Sequence, residues 1–192
     1  MKYWAVVIML LLMACGQEKK RAQPQYYFDS LLRRQALYLT KHEASVNKVT
    51  AMGKQDSRVT LKPGDTTAWK KELEIFQVID AINKPINRDS YKIEMKSDGR
   101  SNLMIRSFST SENLPVKYVN IYFKNTSDRI RKIEASYTES NALYHSSRIL
   151  TMVFEPIRDS AVLTSYSIVG GQKMVMDDSV NYDIKGYLTL GN

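Results

Sequence analysis

The chain has little cysteine and little histidine, and each shortage excludes a class of chemistry. Its only cysteine, Cys15, cannot form an internal disulfide, so the chain is not a disulfide scaffold. The two histidines, His42 and His145, have no cysteine or carboxylate at the spacing of a metal site. Zinc-protease and nucleophile-elbow motifs are both missing. We therefore expect no metal site, no cofactor and no catalytic residues, which favours a non-enzymatic protein.

Three other groups of residues resemble parts of binding sites without completing one. Asp177, Asp178 and Asp183 lack the alternating ligands and central glycine of a calcium loop, so we interpret them as belonging to a solvated turn. The run 170–173 (Gly-Gly-Gln-Lys) joins two strand-like runs without a following helix, which predicts a hairpin rather than an anion-binding loop. Glu72 and Glu74 lie on different faces of a predicted helix, which argues against a catalytic carboxylate pair.

Low-complexity tracts, internal repeats and linkers are also missing. The chain has 192 residues, of which 43% are hydrophobic and 25% charged, enough to build the core of one domain. Its net charge of +8 raises the possibility of nucleic-acid binding. The export signal described next argues against nucleic acid and favours anionic lipid headgroups or acidic polymers.

The N-terminus reads as an export signal. Lys2 is followed by an apolar run of about ten residues, which is too short to span a bilayer but is typical of a signal peptide. The run ends in Leu12-Met13-Ala14-Cys15, which resembles the lipobox of bacterial lipoproteins; Met13 departs mildly from the usual residue there. The resemblance implies that Cys15 carries a diacylglyceryl group and that the chain is cut before it. We therefore expect a signal peptide over 1–14 and a membrane-anchored mature protein.

The residues after the cysteine suggest where the protein resides. Gly16 is not the aspartate that retains lipoproteins at the inner membrane, so the resemblance implies the outer membrane of the cell envelope, where there is one. Residues 15–25 include Glu18-Lys19-Lys20-Arg21 and are predicted to form a lipidated tether. The three cations either contact anionic headgroups or are simply solvated. The remaining residues, 26–192, form a single predicted domain.

Two helices are predicted in the first third of this domain. In 26–41, Leu31, Leu32, Gln35, Ala36 and Leu39 recur at helical spacing, with Asp29 or Ser30 as the cap. A hairpin follows, with strands over 43–50 and 58–61 and a turn at 53–56. A second helix then begins at a cap provided by Asp65, Thr66 or Thr67 and ends at Lys84-Pro85. Its apolar stripe is formed by Trp69, Leu73, Phe76 and Ile79.

The rest of the chain is predicted to be strands. Period-two segments occupy 91–96, 103–110, 116–124, 130–138, 143–154, 161–169, 174–180 and 182–190, and their short connections favour antiparallel pairing. Turns are predicted at Asp98-Gly99, at 125–128, at Glu155-Pro156 and at Gly170-Gly171. The predicted fold is α+β: one curved antiparallel sheet of about eight to ten strands, with two N-terminal helices packed on one face.

This order of elements resembles that of the half-barrel carriers of lipoprotein trafficking, which hold acyl chains between a sheet and helices. The resemblance implies a non-enzymatic envelope lipoprotein that binds an apolar or amphiphilic ligand. Two alternatives stay open: an assembly accessory that docks another envelope protein, and a hydrolase with scattered catalytic residues. A ligand-sized cavity favours the binder, whereas a filled core with an exposed apolar patch favours the accessory. Clustering of His42 or His145 with carboxylates favours the hydrolase.

Overall fold

A computed structural model describes residues 25–191 apart from residue 54, residues 127–128, residue 159 and residues 175–178. The predicted signal peptide, Cys15 and most of the predicted tether lie outside the described residues. Among the residues described, no helix is both long and apolar enough to cross a membrane.

Helical elements are concentrated in the first part of the described chain. Helix α1 spans Phe28–Lys41 and is followed by strands β1 (Ser45–Met52) and β2 (Gln55–Leu61). Helix α2 spans Thr66–Glu72 and leads directly into a 3-10 helix, Glu74–Asn83. A short 3-10 turn, Arg88–Ser90, precedes the remaining strands. These are β3 (Lys92–Ser97), β4 (Met104–Ser109), β5 (Val116–Phe123), β6 (Ile130–Ser140), β7 (Tyr144–Ile157), β8 (Ser160–Met174) and β9 (Val180–Thr189).

The strands of the described chain form one open antiparallel sheet of nine strands. Their order is β2-β1-β9-β8-β7-β6-β5-β4-β3, so β2 and β3 are the two edges. The antiparallel sheet and its strand number are confirmed. Along β5, Val119, Ile121 and Phe123 are buried while the residues between them are partly exposed, as the period-two pattern predicts.

Helix α1 has the predicted stripe but not the predicted cap. Leu31, Leu32, Gln35, Ala36 and Leu39 are all buried, as is Phe28. The helix begins at Phe28, so Asp29 and Ser30 lie inside its first turn and no side chain caps it. The predicted cap is therefore wrong, although Asp29 is still well placed to interact with the positive end of the helix dipole.

The second predicted helix divides into two. Its cap is confirmed, because Asp65 Oδ1 accepts a hydrogen bond from Ala68 N at 2.8 Å. The α-helix ends at Glu72, and after Leu73 the chain continues as a 3-10 helix to Asn83, just before Lys84-Pro85. A strict spacing of three between buried apolar residues explains the change, because a 3-10 helix aligns residues three apart on one face. These residues are Leu73, Phe76, Ile79 and Ile82.

Two of the predicted turns lie inside strands. Gly170-Gly171 belongs to β8, where a Cβ on Gly170 would lie 2.4 Å from Ser147 O, so this glycine allows close approach of β7. Glu155-Pro156 belongs to β7, whose pairing with β6 ends at Val153. Pro156 is tolerated because β7 has β8 alone beside it there. The predicted strand over 174–180 falls between two observed strands. Met174 is the last residue of β8, Val180 is the first residue of β9, and residues 175–178 lie outside the described residues.

Most of the buried side chains of β5, β6 and β7 share one face, which we call the inner face and define by Leu150, Ile133 and Val119. These three residues are fully buried, and neighbouring strands place further apolar side chains in register with them. The 3-10 helix contacts β5 and β6, and α1 contacts β8. Trp69 and Phe76 are also fully buried and belong to the same hydrophobic core as these strand residues.

Gln35 joins α1 to an irregular part of β8. Strand β9 pairs with β8 only from Ser165 onward, so the backbone before it lacks a neighbouring strand on that side. Gln35 Nε2 donates to Ala161 O at 2.9 Å, and Gln35 Oε1 accepts from Leu163 N at 2.8 Å. The buried amide thus replaces two missing ladder hydrogen bonds.

Replacing this amide tests its role in stability. We expect Gln35→Leu to lower the free energy of unfolding by about 1–3 kcal/mol, because it leaves the buried Leu163 N–H and the part-buried Ala161 carbonyl without these hydrogen bonds. The matched control is Gln77→Leu on the exposed side of the 3-10 helix, which we expect to change stability by less than about 0.5 kcal/mol. Urea unfolding measures both. Equal effects of the two substitutions would contradict the assignment.

Candidate functional site

The two histidines do not come together. His42 follows the last turn of α1, where its ring stacks on Tyr38 at 4.0 Å and Nδ1 lies 2.9 Å from Tyr38 O. His145 lies exposed in β7, paired with Ser140 and Lys173. No group of three or more metal-ligating side chains occurs in the part of the chain that the structure describes. The condition set for a hydrolase, a histidine clustered with carboxylates, is not met by these contacts.

The predicted acidic turn is only partly described. Asp177 and Asp178 lie outside the described residues. Asp183 lies in β9 and forms an ion pair with Lys185 at 2.7 Å. Its partner is a surface lysine two residues away, a contact worth little in stability and with no chemistry of its own.

An open groove lies over the part of the inner face nearest the β1–β2 hairpin. The side chains of β1, β9, β8 and β7 follow one another there in register: Thr50, Ile184, Ile168 and Leu150. Ile75, from the 3-10 helix, forms the opposite wall. The groove has two lobes that share three apolar side chains: Ile75, Ile168 and Ile184.

The first lobe, which we call the lysine lobe, is bordered by Lys48 and Lys71 and has a volume of about 490 Å³. Val78, also from the 3-10 helix, adds apolar surface to this lobe. Glu72 and Glu74 both border this lobe, because α2 ends between them. Glu72 is the last residue of α2, and Glu74 is the first residue of the 3-10 helix.

Glu72 connects α2 to two strands. Its carboxylate lies 2.7 Å from Lys48 Nζ of β1 and accepts a hydrogen bond from the Tyr166 hydroxyl of β8. Phe76 packs edge-on against the Tyr166 ring, with the centroids 5.6 Å apart. Burial, followed by the hydrogen bond to Glu72, raises the pKa of Tyr166 well above its ordinary value, so the hydroxyl stays protonated and donates.

A glycine makes room for this tyrosine. Gly186 of β9 pairs with Tyr166, and a Cβ on Gly186 would lie 2.2 Å from the ring. No side chain larger than hydrogen fits there unless the ring moves. The absence of a side chain at residue 186 thus allows the Tyr166 ring to lie there and its hydroxyl to reach Glu72 at the end of α2.

The second lobe, which we call the arginine lobe, is bordered by Arg148 and has a volume of about 600 Å³. The Arg148 guanidinium lies over the Tyr137 ring at 4.7 Å and 3.6 Å from the Glu139 carboxylate. Arg148 Nε has no hydrogen-bond partner among the described residues. Met52 and Tyr182 add apolar surface on the β1–β9 side.

Sequence reasoning missed the groove because its parts are distant in the chain. Glu72 and Tyr166 are 94 residues apart, and pairing of β1 with β9 brings Lys48 beside Gly186. One signal was available: a glycine inside a strand marks a close approach of neighbouring atoms. Gly186 marks such a close approach beside the lysine lobe, and Gly170 marks one beside the arginine lobe.

No protein-family profile, curated protein or solved structure matches this chain.

Adding one methyl group to Gly186 tests the packing that bounds the lysine lobe. We expect Gly186→Ala to lower the free energy of unfolding by about 1–3 kcal/mol, because the added carbon displaces the Tyr166 ring from Glu72. The control is Gly64→Ala, where the added carbon meets no atom within 4 Å and a small effect is expected. Urea unfolding compares the two. If Gly186→Ala is as stable as the parent, Tyr166 does not lie against this glycine.

Proposed function

We propose that the protein is a non-enzymatic, lipid-anchored protein of the cell envelope that binds an amphiphilic molecule in the two-lobed groove. One observation carries the binding part of the proposal: the same three isoleucine side chains border two adjoining lobes that also carry charged side chains. Each lobe falls within the range of about 300–1,000 Å³ typical of small-molecule pockets.

The anchoring part of the proposal is supported by the lipobox resemblance. Leu12-Met13-Ala14 precedes the only cysteine of the chain, and a lipid on Cys15 would attach the domain to a membrane without a spanning helix. Gly16 favours the outer membrane.

We infer that α1, α2 and the 3-10 helix together cover part of the inner face of a curved sheet and leave the groove uncovered. The helix contacts with β5, β6 and β8 support this, as does the bond between Glu72 and Tyr166. Beneath these contacts the core is filled, so a ligand lies beside the helices rather than under them. The cavity expected from the sequence is therefore an open groove in this proposal.

The chemistry of the groove indicates the kind of ligand. Ile75, Ile168 and Ile184 offer an apolar surface to a hydrocarbon chain, which gains about 0.8 kcal/mol for each methylene buried. Arg148 borders the arginine lobe, and its guanidinium lies 3.6 Å from the Glu139 carboxylate, a long ion pair. A carboxylate or phosphate in the arginine lobe would draw on that cation, so we propose an anionic amphiphile.

A second candidate function is supported by the edges of the sheet. Every residue of β2 is exposed, including Val59 and Leu61, so this strand offers an open edge. An assembly accessory can use such an edge by adding a strand of another envelope protein. In that case the groove has no ligand of its own.

Titration with cis-parinaric acid, whose fluorescence rises in apolar surroundings, tests the binding proposal. We expect saturable binding to the parent and about tenfold weaker binding to Ile75→Gln, because that residue borders both lobes. The matched control is Ile149→Gln, the same change at a partly exposed position of β7 that borders neither lobe. Ile149→Gln should bind like the parent.

Arg148→Gln separates headgroup recognition from apolar burial. Affinity for cis-parinaric acid should fall about tenfold, whereas displacement of the probe by the uncharged alcohol of equal chain length should match that of the parent. An absence of saturable binding, or equal losses in Ile75→Gln and Ile149→Gln, would contradict the groove as the binding site and favour the assembly accessory.

A further inference from the structure

We propose that the loop Lys84–Arg88 is a membrane-contact surface that inserts Ile86 into an anionic bilayer and so fixes how the anchored domain is oriented. The proposal presupposes the lipid on Cys15 proposed above. It goes beyond that anchor, because it assigns a second contact with the bilayer that is made by the folded domain.

Ile86 is the first observation. Its side chain is 87% exposed, well above the other large apolar residues of the domain that project into solvent. Lys84 lies exposed two positions before it, and Arg88 is partly exposed two positions after it. An apolar side chain between two cations suits the bilayer interface, where the apolar group enters the acyl region and the cations stay with anionic headgroups.

The loop holds Ile86 outward by a compact set of hydrogen bonds. Asn87 N and Arg88 N both donate to Lys84 O, at 2.9 Å and 3.1 Å. The buried Asn87 side chain donates from Nδ2 to Ala81 O at 3.0 Å. These bonds form a closed turn with Ile86 at its tip, so the side chain is exposed without the loop having to rearrange. Such preorganisation lowers the entropy cost of binding a surface.

The second observation is the place where the predicted tether meets the domain. Its position beside the loop indicates that the surface which the loop contacts is the bilayer. Gln25 N donates to Asn83 Oδ1 at 2.7 Å, and Gln25 Nε2 donates to Arg88 O at 2.9 Å. Asn83 precedes the loop and Arg88 is its last residue, so Gln25, the first described residue after the predicted tether sequence, lies beside the loop. Asn83 Nδ2 also donates to Tyr26 O at 2.6 Å, which secures the same junction.

The length of the tether keeps this junction near the bilayer. Ten residues, Cys15 to Pro24, separate the lipidated cysteine from Gln25. Because a fully extended chain spans at most about 3.6 Å per residue, the junction lies within about 36 Å of the anchor. The loop therefore samples the membrane at high effective concentration, and weak contacts suffice to orient the domain.

Charge is consistent with an anionic surface. Lys84 and Arg88 outnumber Asp89 at the loop, and Lys19, Lys20 and Arg21 add three cations in the tether sequence. Each cation near an anionic membrane adds a modest electrostatic attraction to the burial of Ile86.

Photo-crosslinking of the full chain tests the proposal. Ile86→p-benzoylphenylalanine and, as control, Val59→p-benzoylphenylalanine are produced with the native N-terminus and reconstituted in vesicles of phosphatidylethanolamine with or without phosphatidylglycerol. Val59 is also exposed, but it lies in β2, at the sheet edge opposite β3, which the loop precedes. After irradiation, mass spectrometry measures phospholipid attached at each position and, separately, the adduct on Cys15.

We expect phospholipid at residue 86 but not at residue 59, more of it with phosphatidylglycerol, and about a fivefold loss when Lys84→Gln is added. A lipidated Cys15 without attachment at residue 86, or with equal attachment at both positions, would overturn the loop proposal and leave the anchor standing. Attachment of residue 86 to a protein alone would overturn it in favour of a protein partner. An unmodified Cys15 would overturn both the anchor and this orientation.

Discussion

The contact of Glu72 with Tyr166 and Lys48 is the interaction on which the groove depends. It fixes the end of α2 against β8 and β1, and the chain continues from there as the 3-10 helix whose Ile75 borders both lobes. The contact brings together one carboxylate, one cation and one protonated hydroxyl, so the partly buried charges are paired and the phenol has an acceptor. It also requires the absence of a side chain at Gly186, because the Tyr166 ring lies where a Cβ would be.

The surroundings of this contact comprise a buried part, which belongs to the core, and an open part, which is the groove. On one side, Phe76 and the residues that follow it at spacings of three are buried. On the other side, Ile168 and Ile184 face the groove, with Arg148 further along. In our proposal the open part receives an amphiphile, and the loop at Ile86, beside the tether junction, orients the domain on the membrane. The two surfaces lie at different ends of the 3-10 helix, whose Ile75 borders the groove and whose Asn83 binds Gln25.

Local patterns predicted much of the fold. The alternation in β5, the stripe of α1 and the cap at Asp65 depend on neighbours in the sequence, and each was recognised there. Pro156 and Gly170 were misread as turn residues because their meaning depends on which strands lie beside them. The groove was predicted only as a general cavity, because the contact that bounds it joins Glu72 to a residue 94 positions away. The spacing of three between Leu73, Phe76 and Ile79 is present in the sequence, but it fits an α-helix as well as a 3-10 helix.

Native mass spectrometry of the protein released from its own membranes is the most direct measurement of the central claim. A lipid on Cys15 is covalent and survives denaturation, whereas a ligand in the groove is lost with the fold, so the two masses are separable. We expect the folded protein to carry one additional amphiphile that disappears on unfolding. A folded protein that carries the Cys15 lipid and nothing else, under conditions that preserve the sheet, would contradict a groove that binds amphiphiles.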